Sequence, residues 1–201
     1  MTLRHSLLPL LVTLATAMPT WAQEAAQPAA DPAAPAAEAA PAAPAADGVG
    51  QAYVAKTFGD WDLRCIRTAD GADPCQLHQL LKEKDSEEPV AQITIVGLPE
   101  GGEAVAGANI VVPLETLLTQ QLNITVDGGE TRRFPFTYCS EAGCVARAGF
   151  TKADIDAFRK GKVATISVVP VIAPDRLVNI DVSLAGFTAG FDSITETAPK
   201  N

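Results

Sequence analysis

The residues able to do chemistry are few and specific. The chain of 201 residues holds four cysteines and two histidines, with 24 acidic residues against 15 basic ones and a net charge of −9. The cysteines are Cys65, Cys75, Cys139 and Cys144. Zinc wants closer Cys or His pairs, and a redox site wants Cys-x-x-Cys, so Cys139 and Cys144 stand too far apart. An even count in an exported chain reads as two disulfides, with three pairings open. Hairpin geometry favours one of them. A turn at Asp70 sets Cys65 opposite Cys75, and a tight turn at Glu141-Ala142 sets Cys139 opposite Cys144. Each such short loop is worth roughly 2–3 kcal/mol, so the cysteines staple the fold.

His5 lies in the N-terminal leader, which leaves His78 as the one histidine of the mature chain. General acid–base work needs a nucleophile or an orienting group beside it. No Gly-x-Ser-x-Gly occurs and no cysteine is left free, so His78 reads as a partly exposed strand histidine. Trp61 reads as a core residue near the first disulfide rather than a stacking platform. A carboxylate-only hydrolase remains as the competing reading, because the domain is rich in acids; it demands a cleft with two facing carboxyls, one of raised pKa. The acidic balance argues against nucleic acid, which needs a basic face. No catalytic, metal-binding or cofactor-binding residue is assigned.

The elements that position these residues follow from the pattern of the chain. Residues 1–22 read as a signal peptide: Arg4 and His5, an apolar run from Leu7 to Ala17, then Thr20-Trp21-Ala22, with cleavage between Ala22 and Gln23. The run is too short to span a bilayer, and no later segment is apolar enough to do so. Residues 23–50 are an Ala/Pro-rich linker; the stretch 23–48 holds 14 Ala and 5 Pro. It has nothing branched or aromatic to bury and so stays extended and solvated. The domain is 51–201, with 14 basic and 20 acidic residues and a net charge of −6.

Alternation dominates that domain. Leu122, Ile124 and Val126 point one way and Asn123, Thr125 and Asp127 the other; Val178, Ile180, Val182 and Leu184 alternate in the same manner. Similar runs cover 61–67, 75–81, 90–98, 108–112, 132–138, 144–148 and 163–169. About nine short antiparallel strands, separated by turns such as Asp70-Gly71 and Asp127-Gly128-Gly129, make the fold all-β, a sandwich or a barrel. One helix is predicted over 152–160. Thr151 and Asp154 form its capping box, Phe150 staples Ile155, and Gly161 takes the C′ position. A second short helix is expected near 189–194. Residues 82–88 are a charged hairpin tip, either solvated or a partner contact. Arg132 and Arg133 point to opposite faces, and Pro135 marks an edge or a bulge. Asp70-Gly71-Ala72-Asp73 is a turn rather than a calcium loop, and the sequon Asn123-Ile124-Thr125 is a chance match.

The ordered set of motifs resembles the invasion-associated locus B family of exported alphaproteobacterial proteins. The opening Gly-x-Trp-x-x-x-Cys strand is Gly59-Asp60-Trp61-Asp62-Leu63-Arg64-Cys65, and the second cysteine is Cys75. The Phe-x-x-Cys-x-x-x-Gly-Cys hairpin is echoed by Phe136 to Cys144, and the closing Ser-Leu-x-Gly-Phe is Ser183-Leu184-Ala185-Gly186-Phe187. Where the family usually places a Pro-Gly turn, this chain has Thr119-Gln120-Gln121, and a loop built differently is expected there. The resemblance implies an immunoglobulin-like antiparallel β-sandwich with one or two short helices and two disulfides. It also implies an envelope location, in the periplasm or on the outer surface. The family's founding member, in a pathogen, is linked to entry into red blood cells, and many relatives occur in free-living bacteria. The functional expectation is a non-enzymatic module presenting a binding face to an envelope or host-surface macromolecule. The alternatives are the carboxylate hydrolase or an envelope assembly factor.

Overall fold

A computed structural model describes residues 48–82, 88–99 and 101–196. The leader, most of the linker and the centre of the charged run lie outside the described residues. In chain order the elements are β1 (Ala52–Phe58), β2 (Trp61–Ile66), β3 (Cys75–Lys82), β4 (Pro89–Gly97), β5 (Ala104–Val112), β6 (Leu122–Val126), β7 (Thr131–Phe134), β8 (Phe136–Ser140), β9 (Gly143–Thr151), α1 (Lys152–Lys160), β10 (Val163–Val168), β11 (Val178–Ser183) and α2 (Phe187–Glu196). Seven strands form one antiparallel sheet in the order β1-β2-β3-β4-β5-β9-β8, and four form a second, β11-β10-β6-β7. The fold is a β-sandwich, all-β apart from two short helices.

Alternation explains which face each strand buries. In β2, Trp61, Leu63 and Cys65 are buried while Asp62 and Arg64 are not. Ile93 and Ile95 of β4, Ile110 and Val112 of β5, and Ile124, Ile166 and Ile180 of the smaller sheet meet them in one core. Successive side chains of a strand point to opposite faces, so one apolar set per strand suffices. The helices complete the second layer. α1 carries the capping box: Thr151 Oγ1 accepts from Asp154 N–H, and Asp154 accepts from Thr151 N–H at 2.8 Å. α2 seats Phe187 edge-on to Trp61 at 5.5 Å. A chain of ring contacts continues from Phe187 to Phe158, Phe150 and Phe134, with centroids 5.1–5.7 Å apart.

Two motif glycines mark a backbone crossing. Gly59, at φ +56°, and Gly186, at φ +85°, bring the β1–β2 turn against the start of α2. A Cβ on Gly186 would stand 2.0 Å from the Phe58 carbonyl oxygen, and one on Gly59 2.5 Å from that of Ala185. Asp60 N–H donates to Ala185 O across this contact at 3.2 Å.

The structure also amends the strand reading. β1 is an additional edge strand of mostly exposed residues, invisible to a search for alternation. The single run expected over 132–138 is two strands, β7 and β8, that belong to different sheets. Pro135 stands between them, and both are edge strands, as a residue without an N–H requires. Gly161 caps α1 at φ −76°, outside the left-handed region. Its requirement is space: a Cβ would lie 2.5 Å from Val126 Cγ1 and 3.0 Å from Leu184 Cδ1.

Candidate binding surface

The two sheets are stitched by one polar cluster in the core. Gln79, 5 % exposed on the inner face of β3, pairs with the Ser183 backbone through both amide atoms, each at 3.0 Å. Trp61 Nε1–H donates to the same Ser183 carbonyl at 2.8 Å. Trp61 is fully buried, so it is a core residue and offers no platform. The disulfides join Cys65 to Cys75 and Cys139 to Cys144. Each closes a hairpin between residues directly opposite in register. The cysteines are thereby structural, and none is free.

His78 departs from its expected partly exposed state: it is 4 % exposed. Its neighbours Leu77 and Gln79 face the core, so alternation puts His78 on the outer face of the large sheet. The ring is sunk among its flanking side chains. Nδ1 lies 3.3 Å from Thr94 Oγ1, and Nε2 has no partner. Burial lowers the pKa; the Arg64 charge lowers it further, and Asp62 opposes them. Nε of Arg64 likewise has no partner, and its guanidinium stands 3.6 Å from Asp62.

The register places His78 in a straight row of polar residues. Asp62 pairs with His78, His78 with Thr94, Thr94 with Asn109 and Asn109 with Arg147, on β2, β3, β4, β5 and β9. Thr57 of β1 extends it, donating to Asp62 at 3.0 Å. A second row, parallel to the first, runs Leu80, Gln92, Val111, Val145 and Tyr138. Leu80 and Tyr138 are about half exposed. Gly107 and Gly149 pair on the opposite flank and leave it low. The smaller sheet and both helices pack on the other side, so among the described residues no layer covers this face. The row is not legible in the sequence; its only signal is one outward polar residue per strand, which has no meaning until register is known.

Two concavities lie elsewhere. One, of about 340 Å³, is lined by Asp127, Glu130, Arg132, Asp154 and Phe158 between the smaller sheet and α1. Two of its three carboxylates, Asp154 and Asp127, are engaged in structure. Asp154 accepts from the Thr151 backbone and hydroxyl and from Arg132 at 3.0 Å. Asp127 accepts the backbone N–H groups of Lys162 and Val163, which hold its pKa below the ordinary carboxylate value. That is the reverse of a general acid's requirement. The other, of about 240 Å³, is apolar and rimmed by Leu114, Pro170 and Ile172.

The remaining motifs have structural roles. Arg132 is the arginine that pairs with an acid, and the partner is Asp154. Asp70 and Asp73 shape the β2–β3 turn. Asp70 accepts from Ala72 N–H, and Asp73 accepts from Thr68 N–H and the Tyr53 hydroxyl. Asn123 sits in register within β6. Of the charged run, 83–87 lies outside the described residues. Among the described residues no cluster of three or more His, Cys, Asp or Glu could hold a metal, and no helix is long and apolar enough to cross a membrane.

Over residues 61–195 the chain matches the family model described as invasion associated locus B (IalB) protein. Among solved structures it is similar to the crystal structure of invasion associated protein B from Bartonella henselae, with a TM-score of 0.60 and 24 % sequence identity over 70 % of this chain and 94 % of that one. That likeness is one of fold. No curated protein matches.

Proposed function

Because the chain belongs to the invasion associated locus B family, we propose that it is an exported, non-enzymatic envelope module that presents a binding face to another macromolecule. The leader 1–22, cut between Ala22 and Gln23, and the Ala/Pro tether 23–50 support export and display. Two disulfides support an oxidising compartment. The observation that carries the binding role is the outer face of the seven-stranded sheet. It is a polar row over five strands, flanked by exposed Leu80 and Tyr138 and floored by His78, whose Nε2 has no partner. A sheet face held on both sides by ladders and by two staples loses little entropy on contact.

The mature chain and its Thr94→Glu variant, incubated with isolated cell envelopes and pelleted, provide the test. Thr94→Glu places a long anion at the centre of the row. Saturable co-sedimentation of the parent, weakened about tenfold in the variant at equal thermal stability, is expected. Equal binding by both overturns the face as the contact. Mass spectrometry of the exported chain should find Gln23 at its start, and protease treatment of intact against osmotically opened cells assigns the periplasm or the outer surface. A cytoplasmic chain with its leader intact overturns export.

A further inference from the structure

Resting on that binding face, we propose that its ligand is an acidic glycan, with hydroxyls along the Asp62–His78–Thr94–Asn109–Arg147 row and one carboxylate held by Arg64 and His78. All five strands of the row are interior, each hydrogen-bonded to a neighbour on both sides. Their backbone groups are spent on ladders. An extended peptide is recognised through main-chain bonds at a free sheet edge, and this face has none to give. It offers side-chain donors and acceptors instead: the Asp62 carboxylate, the Thr94 hydroxyl, the Asn109 amide and the Arg147 guanidinium. Neighbouring strands stand about 4.8 Å apart, so the row runs roughly 19 Å, room for several pyranose rings. Sugars also carry C–H faces. The parallel row supplies their partners in Leu80, Val111 and Tyr138, with Leu80 50 % and Tyr138 49 % exposed.

The carboxylate is assigned by two unpartnered nitrogens. Arg64 Nε and His78 Nε2 are both buried without a hydrogen-bond partner, a costly state unless a ligand relieves it. In the tautomer whose Nδ1 accepts from the Thr94 hydroxyl, Nε2 carries the ring proton and donates to the ligand. Arg64 sits diagonally from His78 across the β2–β3 pair. Its side chain is 36 % exposed and stands only at the outer range of an ion pair, 3.6 Å from Asp62. It can therefore turn to a ligand. The row itself balances Asp62 against Arg147, and Arg64 from the adjoining row leaves the patch around His78 one charge positive within a domain of net charge −6, which suits an anionic ligand.

The full mature chain is titrated calorimetrically with tetragalacturonate, with its methyl ester, and with poly-L-glutamate. Saturable binding of tetragalacturonate is expected, about tenfold weaker for the ester, with no saturable binding of polyglutamate. Arg64→Gln and His78→Gln should each weaken the acid about tenfold and leave the ester unchanged. Arg64 is half-exposed, so its variant keeps the test usable if His78→Gln fails to fold. Absence of saturable tetragalacturonate binding overturns the proposal. So does an Arg64→Gln variant that binds like the parent, and polyglutamate binding of equal strength would mean an acidic peptide instead. The envelope assay separates the two levels. If Thr94→Glu abolishes envelope binding while tetragalacturonate never binds, the glycan fails and the binding face stands; if neither responds, both fail.

Discussion

Burial on an open sheet face makes His78 a residue whose charge the fold resists. Desolvation, then the Arg64 charge, lower its pKa below the unfolded value, with Asp62 opposing. The folded state thus favours the neutral ring. Its contribution is fully present above the unfolded pKa of roughly 6.5 and is lost as pH falls through the lower folded value. Asp127, lowered by two backbone N–H donors, follows the same direction in a separate window, beginning near the ordinary carboxylate pKa of roughly 3.9. A His78→Gln variant does not titrate, so its thermal midpoint should stay level between about pH 7 and pH 5 where the parent's declines. Parallel curves would contradict the burial argument. The strand position of His78 is legible in the sequence, since Leu77 and Gln79 bracket it. Its burial is not, because that depends on which residues of β2 and β4 stand beside it.

Local elements were the more readable the shorter the interactions that make them. The capping box of α1 involves residues three apart, Thr151 and Asp154, and was found in the sequence down to its variant acid. The loop before β6 behaves differently. With Thr119-Gln120-Gln121 in place of a Pro-Gly turn, the sequence predicts a loop built differently. There Gln121 adopts φ 59° and ψ 172° after the short 3-10 turn Leu118–Gln120. That region is essentially reserved for glycine and costs a side chain on the order of 1–3 kcal/mol. The anchors on either side, the 3-10 turn and the buried Leu122, over-determine the path. Gln121→Gly should therefore stabilise the domain by about 1 kcal/mol in urea denaturation. A loss of stability would show that the glutamine is not strained.

At the scale of the molecule, both staples lie within the larger sheet and each closes a hairpin, β2–β3 or β8–β9. Each has one cysteine in the core, Cys65 or Cys144, and they differ in the other: Cys75 is half-buried, whereas Cys139 is exposed. The first also closes the longer loop, ten residues against five. Replacing Cys65 and Cys75 by Ser should cost about 1 kcal/mol more than replacing Cys139 and Cys144, each pair costing roughly 2–3 kcal/mol or more. Equal losses would refute the ranking. The smaller sheet carries no disulfide and depends on the Gln79–Ser183–Trp61 stitch and the ring contacts of α1 and α2 for its seating.

What the sequence by itself determined are the features written in neighbours. They are the alternation that makes half-buried strands, the capped helix, the hairpin pairing of the cysteines and the core role of Trp61. The tertiary structure decided what depends on partners far along the chain. It split 132–138 between two sheets at Pro135, placed β1 on an edge, and set Gly59 against Gly186 so closely that no side chain fits. It also aligned one polar residue from each of five strands into a single row. The physical reason is the range of the interactions. Periodicity is a property of residues two apart, but a contact such as Gln79 with Ser183 joins residues 104 apart, and register across a sheet exists only once such contacts have formed.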